Sequence, residues 1–100
     1  GVGDTFVAPD ESYLVLTSGN RPGGFGQGDL WVSFRGSDRK WTEPVNLGDR
    51  INTRDTEFCP MVTPDGKYLF FSRRIGASWE QVTGGDVYWV DVKVLDALRR

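Results

Sequence analysis

The chain has 100 residues, with 12 Lys and Arg against 14 Asp and Glu for a net charge of −2, 38% hydrophobic residues, 13 Gly and no His. That length supports one small domain with its own core and not two, and no apolar run reaches the about 20 residues of a membrane-spanning helix. The slight acidic excess offers no electrostatic footprint for nucleic acid or acidic lipid, and the absence of His removes Ser-His-Asp, Cys-His and His-ligated metal chemistry from the chain's own residues.

The opening Gly1-Val2-Gly3-Asp4 has no basic region, apolar segment or cleavage site, so the sequence predicts no signal peptide in this chain. Pro9-Asp10-Glu11-Ser12 reads as a turn between two strands, the second over Tyr13 to Thr17. Ser18 to Asp29 is glycine-rich and reads as a flexible loop: it lacks a Gly-Lys-Ser/Thr end and leads into a strand, so it is no phosphate cradle. Asp29 to Phe34 is a third strand, and Trp41 to Gly48 a short fourth one that Pro44 confines to an edge or a strand start. Cys59 is the single cysteine; with Phe58 before it and Pro60-Met61-Val62 after it, it predicts a buried, inert thiol and no disulfide. Pro64-Asp65-Gly66 has the chemistry of a tight hairpin: Pro presets φ, Asp bonds the turn backbone and Gly takes φ > 0. Glu11 stands where that Gly would be, which predicts a first turn that does not need the left-handed region there. Tyr68 to Ser72 is again a strand, aromatic and unbroken like Tyr13 to Thr17; both predict burial on two faces. Ile75 to Gln81 reads as a loop, Asp86 to Asp91 as a strand continuing to about Val94, and Leu95 and Leu98 fit either a turn of helix or a last strand.

These elements repeat. Val7-Ala8-Pro9-Asp10-Glu11-Ser12-Tyr13-Leu14-Val15-Leu16-Thr17 aligns without a gap to Val62-Thr63-Pro64-Asp65-Gly66-Lys67-Tyr68-Leu69-Phe70-Phe71-Ser72 at an offset of 55. Gly28-Asp29-Leu30-Trp31-Val32 aligns to Gly85-Asp86-Val87-Tyr88-Trp89 at an offset of 57. The chain is therefore predicted to be a single all-β unit of two four-stranded antiparallel sheets, with one repeat over about 4–48, a second over about 56–94 and a tail at 95–100. On these two segments, and on Gly85-Asp86-Val87-Tyr88-Trp89-Val90-Asp91 in particular, the chain resembles the TolB-type, WD-like repeat family of bacterial β-propellers. The segment Trp41 to Gly48 is similar to what separates blades in envelope and secreted members. The resemblance implies blade-like sheets and a non-catalytic scaffold or protein- and peptide-binding module, in the periplasm or secreted. Propellers close with about four to eight blades, so two imply completion by further chain or by self-association, for instance three protomers giving six blades.

Candidate chemistry is sparse. Asp10, Asp29, Asp65 and Asp86 occupy turn and strand-start positions, where carboxylates accept backbone hydrogen bonds; the reading is structural, with no metal and no cofactor. Trp31, Trp41 and Trp89 fall in strands and are expected between blades. Arg73-Arg74 and Arg99-Arg100 are expected at the solvated surface or in salt bridges. Arg21, Phe25, Arg73 and Trp79 are assigned to the two loops joining second and third strands, as the residues that touch a protein or peptide partner. Two other readings stand beside the scaffold: a carbohydrate-binding propeller or the propeller part of a glycan-active or peptidase enzyme with its catalytic residues elsewhere, and a self-assembling unit without ligand. No catalytic constellation is predicted within the chain.

Overall fold

The fold is that of a computed structural model, which describes residues 2–76 and 82–99. Seven strands and a short helix follow in order: β1 Val2–Val7, β2 Tyr13–Ser18, β3 Asp29–Phe34, β4 Val45–Asn46, β5 Thr56–Val62, β6 Tyr68–Gly76, β7 Val82–Asp91 and a 3-10 helix at Val92–Leu98. They form two antiparallel sheets, β1-β2-β3-β4 and β5-β6-β7, each in sequence order. The chain is all-β.

The repeat is present in three dimensions, residue for residue. Phe6 pairs Val15 and Val15 pairs Val32, as Met61 pairs Phe70 and Phe70 pairs Trp89. Both first strands also carry an irregularity leading into that pair, between Val2 and Thr5 and between Phe58 and Met61. The two turns match as closely. Glu11 N–H donates to Ala8 O at 2.8 Å, and Gly66 N–H to Thr63 O at the same distance. Here the first turn departs from its sequence reading: Glu11 takes φ 60°, the counterpart of Gly66 at φ 76°. Hydrogen bonds to Asp10 and to the flanking strands dictate the turn, and Glu11 accommodates a region that costs an L-residue about 1–2 kcal/mol.

Cross-strand partners share a face, and alternate residues share it along a strand. In the first sheet, Phe6, Tyr13, Val15, Leu30, Val32, Phe34 and Val45 form one face; in the second, Val62, Leu69, Phe71, Tyr88 and Val90 form another. These two sets meet in the core, closed by Leu47, Ile51 and Leu95. They are not equivalent faces. Leu69 and Phe71 correspond to Leu14 and Leu16, which lie on the opposite side of the first sheet from Tyr13 and Val15. The sheets are therefore stacked head to tail, unlike face on unlike face.

Two expectations are corrected at the sheet edges. The fourth strand of the first sheet shrinks to Val45–Asn46, directly after Pro44, with an isolated bridge between Arg35 and Trp41 ahead of it. The second sheet has three strands among the described residues: β7 ends at Asp91, whose side chain accepts from Lys93 N–H at 2.8 Å and starts the 3-10 helix. A 3-10 helix repeats every three residues, which puts Val92, Leu95 and Leu98 on one side; all three pack on the core. Burial of that stripe wins over the alternation of Val90, Val92 and Val94.

Candidate interaction face

The loop between β2 and β3 is built around a carboxylate. Asp29 is 1% exposed, and its Oδ2 accepts from the N–H groups of Phe25 and Gly26 and, at 3.4 Å, from Asn46 Nδ2. The glycines make that approach possible. A Cβ on Gly24 would lie 2.8 Å from Asp29 Oδ2, and one on Gly26 would lie 2.2 Å from Thr53 O. The loop is therefore packed rather than a loose connector, and its Gly-rich composition reflects close approach. Arg21 folds back over Trp31 at 5.4 Å, while Phe25 remains 50% exposed. Among the described residues, Arg21 Nε, Asp29 Oδ1 and Trp31 Nε1 are buried atoms with no hydrogen-bond partner. A groove of about 390 Å³ runs beside them, lined by Asn20, Arg21, Phe25 and Arg54.

Arg73 sits on β6 and not in a loop, because that strand runs on to Gly76. Its guanidinium is engaged from three sides: Nε donates to Glu57 Oε2 at 2.9 Å, Nη2 donates to Ile51 O at 2.8 Å, and the group lies 4.5 Å from the Tyr88 ring. Glu57 is 0% exposed and also accepts from Thr53 N–H and Thr53 Oγ1. Asn52, 2% exposed, grips the Leu30 backbone at both ends, taking its N–H at 2.7 Å and donating to its carbonyl at 2.8 Å. Neither Glu57 nor Asn52 is singled out by the sequence; besides the nearby Thr53 and Asn46, each holds a partner 16 or 22 positions away. The other named contact residue, Trp79, lies outside the described residues.

Asp10, Asp65 and Asp29 stand where turn and strand-start chemistry puts them, whereas Asp86, expected at a strand start, lies within β7, which begins at Val82. Asp10 Oδ1 accepts from Ser12 Oγ at 2.7 Å and Ser12 N–H at 3.0 Å, and Asp65 Oδ1 from Thr63 Oγ1 at 2.6 Å and Lys67 N–H at 3.0 Å. Both carboxyls are held below the usual aspartate range, chiefly by those hydroxyl hydrogen bonds. Cys59 is exposed, which corrects its expected burial: it sits at φ 50° in the β5 irregularity, with its N–H and its thiol both directed at Asp4 Oδ2. Partial desolvation, and then the Asp4 carboxylate, push its thiol pKa up, so exposure does not make it reactive. Among the described residues, no three His, Cys, Asp or Glu side chains are grouped to hold a metal, and no helix is long and apolar enough to cross a membrane.

The surface that sequence reasoning missed is the far side of the second sheet. Met61, Tyr68, Phe70, Val87 and Trp89 share a face by register, and Met61, Val87 and Trp89 are 52, 62 and 61% exposed. Tyr68 meets Trp89 edge to face at 5.3 Å. The expectation that β6 is covered on two faces is corrected: it is covered on one. Of the tryptophans expected between blades, Trp89 is exposed, Trp41 is 39% exposed under Arg35, and Trp31 is buried beneath Arg21 on the side away from the second sheet. The signal was in the sequence as two-faced hydrophobic strands; what covers each face was not. No known protein family, curated protein or solved structure matches the chain.

Proposed function

We propose that the chain is a pair of propeller-type blades, of the TolB-like, WD-like kind its repeat resembles, and that it serves as a non-catalytic scaffold that binds a protein or peptide. The head-to-tail stacking of the two sheets carries this reading. Like-on-like packing would leave the same face outward on both sheets, whereas unlike-face packing leaves one outer face of each kind, the second of them on the far side of the second sheet. That face is apolar and aromatic around Trp89 and Tyr68, the residue chemistry of protein interfaces.

The test is a single polypeptide of three tandem copies, viewed by electron microscopy. A closed ring with a central channel is expected, since six blades lie within the range at which propellers close. A straight or globular stack with no channel overturns the reading. A carbohydrate-binding role is the second reading, favoured by the loop groove, where exposed Phe25 stands beside the polar side chains of Asn20, Arg21 and Arg54. A ring to stack on and a donor and acceptor pair are what sugar hydroxyls and faces use.

A further inference from the structure

The repeat makes each position of the first sheet a reference for the same position of the second. Phe6, Tyr13, Val15, Leu30 and Val32 correspond to Met61, Tyr68, Phe70, Val87 and Trp89. In the first sheet this face is covered, and Val15, Leu30 and Val32 are 0% exposed. In the second sheet the matching Val87 and Trp89 are more than half exposed, at 62 and 61%. What covers the first face is the surface of Val62, Leu69, Phe71 and Tyr88. At those four positions the first sheet carries Val7, Leu14, Leu16 and Trp31, two identities and two exchanges; Val7 is 46% exposed and Leu14 half-buried, while Leu16 and Trp31 are already covered, Trp31 by Arg21 of the β2–β3 loop.

One chain thus bears one open half of an interface whose complete form it already contains once, and the accessible Val7 and Leu14 end of the other half. We infer that the Met61, Tyr68, Phe70, Val87 and Trp89 face receives the Val7 and Leu14 end of the outer face of the first sheet of a second copy, so that copies associate head to tail. This rests on the blade reading above and names the partner of that face. Each junction between copies repeats the junction within a copy, and because the joined faces differ, the series closes into a ring or grows as a filament. A twofold pairing of two exposed faces instead sets Trp89 and Met61 against their own kind, without the Val, Leu and Phe surface that fills the internal junction.

Light scattering on the full chain, from about 10 µM to about 1 mM to span weak and moderate affinities, reads this directly. The expected mass rises above 11.2 kDa towards whole multiples. Trp89→Lys and Val7→Lys each block one face at an exposed position, 61 and 46%, so both keep the circular dichroism of the parent; Val87→Glu repeats the first block independently. Each variant alone stays at 11.2 kDa. Mixed in equal amounts, Trp89→Lys and Val7→Lys supply one intact face each and give a 1:1 dimer and nothing larger. A parent chain that stays at 11.2 kDa throughout, a Val7→Lys variant that still self-associates, or a mixture without the dimer overturns the inference. If the parent is monomeric while the tandem polypeptide closes a ring, the inference alone fails. If the tandem shows no channel, the blade reading fails with it.

Discussion

Single residues in this chain do more to hold the two sheets together than to reach outward. Arg73 illustrates the difference: assigned by sequence to a partner-contacting loop, with a solvated surface or a salt bridge as its other readings, it is the cation of a buried pair with Glu57 and also donates to Ile51 O. Removing one partner of a buried pair leaves the other charge desolvated and unpaired, at a cost of about 3–5 kcal/mol. Arg73→Ala is expected to lower the unfolding free energy, read from the shift of the urea transition, by that much, a large share of the roughly 5–15 kcal/mol that holds a domain of this size. Arg73→Lys restores only part, since an ammonium cannot serve Glu57 Oε2 and Ile51 O in the fixed fork of a guanidinium. An unchanged midpoint in Arg73→Ala would return the residue to the set of free contact groups. Arg21, over Trp31, and Phe25, half exposed, remain the loop residues placed where a partner can reach them.

At the scale of elements, the hairpin turns carry the pH dependence. Asp10 and Asp65 each accept a hydroxyl and an amide in the folded turn, which depresses their pKa relative to the unfolded chain. A depressed carboxyl contributes stability that is fully present above its unfolded pKa, about 4, and is lost as pH falls through the lower folded value. Thermal midpoints are therefore expected to be flat near pH 6 and to fall on acidification below about pH 4. Asp65→Asn should flatten part of that fall, and a midpoint that rises on acidification would contradict the assignment. Much of each element was legible in advance: Tyr13 to Thr17 and Tyr68 to Ser72 are strands because their residues suit nothing else, and Pro64-Asp65-Gly66 is a turn by its own chemistry. Glu11 was misread because local preference argued against φ 60°, and the turn's hydrogen bonds overrode it. The helix at Val92–Leu98 was ambiguous because a stripe with period three and an alternation with period two coexist there, and only the core surface beneath it selects one.

For the whole molecule, the two sheets share one core, so neither is a domain on its own. Val15, Leu30 and Val32 from one sheet and Leu69 and Phe71 from the other are closed into a single cluster. Leu69→Ala, at a position with 0% exposure, is expected to cost about 2–5 kcal/mol and to shift the loss of both sheets together. Near-ultraviolet dichroism, which reports the aromatics of both sheets, and far-ultraviolet dichroism should follow one transition. Two separated transitions would mean that the sheets hold independently.

The sequence by itself determined the all-β class, the two-fold repeat and its register, because strand periodicity, turn chemistry and an offset of 55 residues are local or countable properties. It also marked β6 as hydrophobic on both sides. Only the tertiary structure decided which side is covered and which is open, because alternation assigns residues to two faces without saying which one meets a neighbour. The same limit hid Glu57 and Asn52, polar residues that each hold a partner far along the chain and whose burial is set by how the chain packs. It is that stacking, unlike face on unlike face, that leaves Trp89 exposed at the position where Val32 is enclosed.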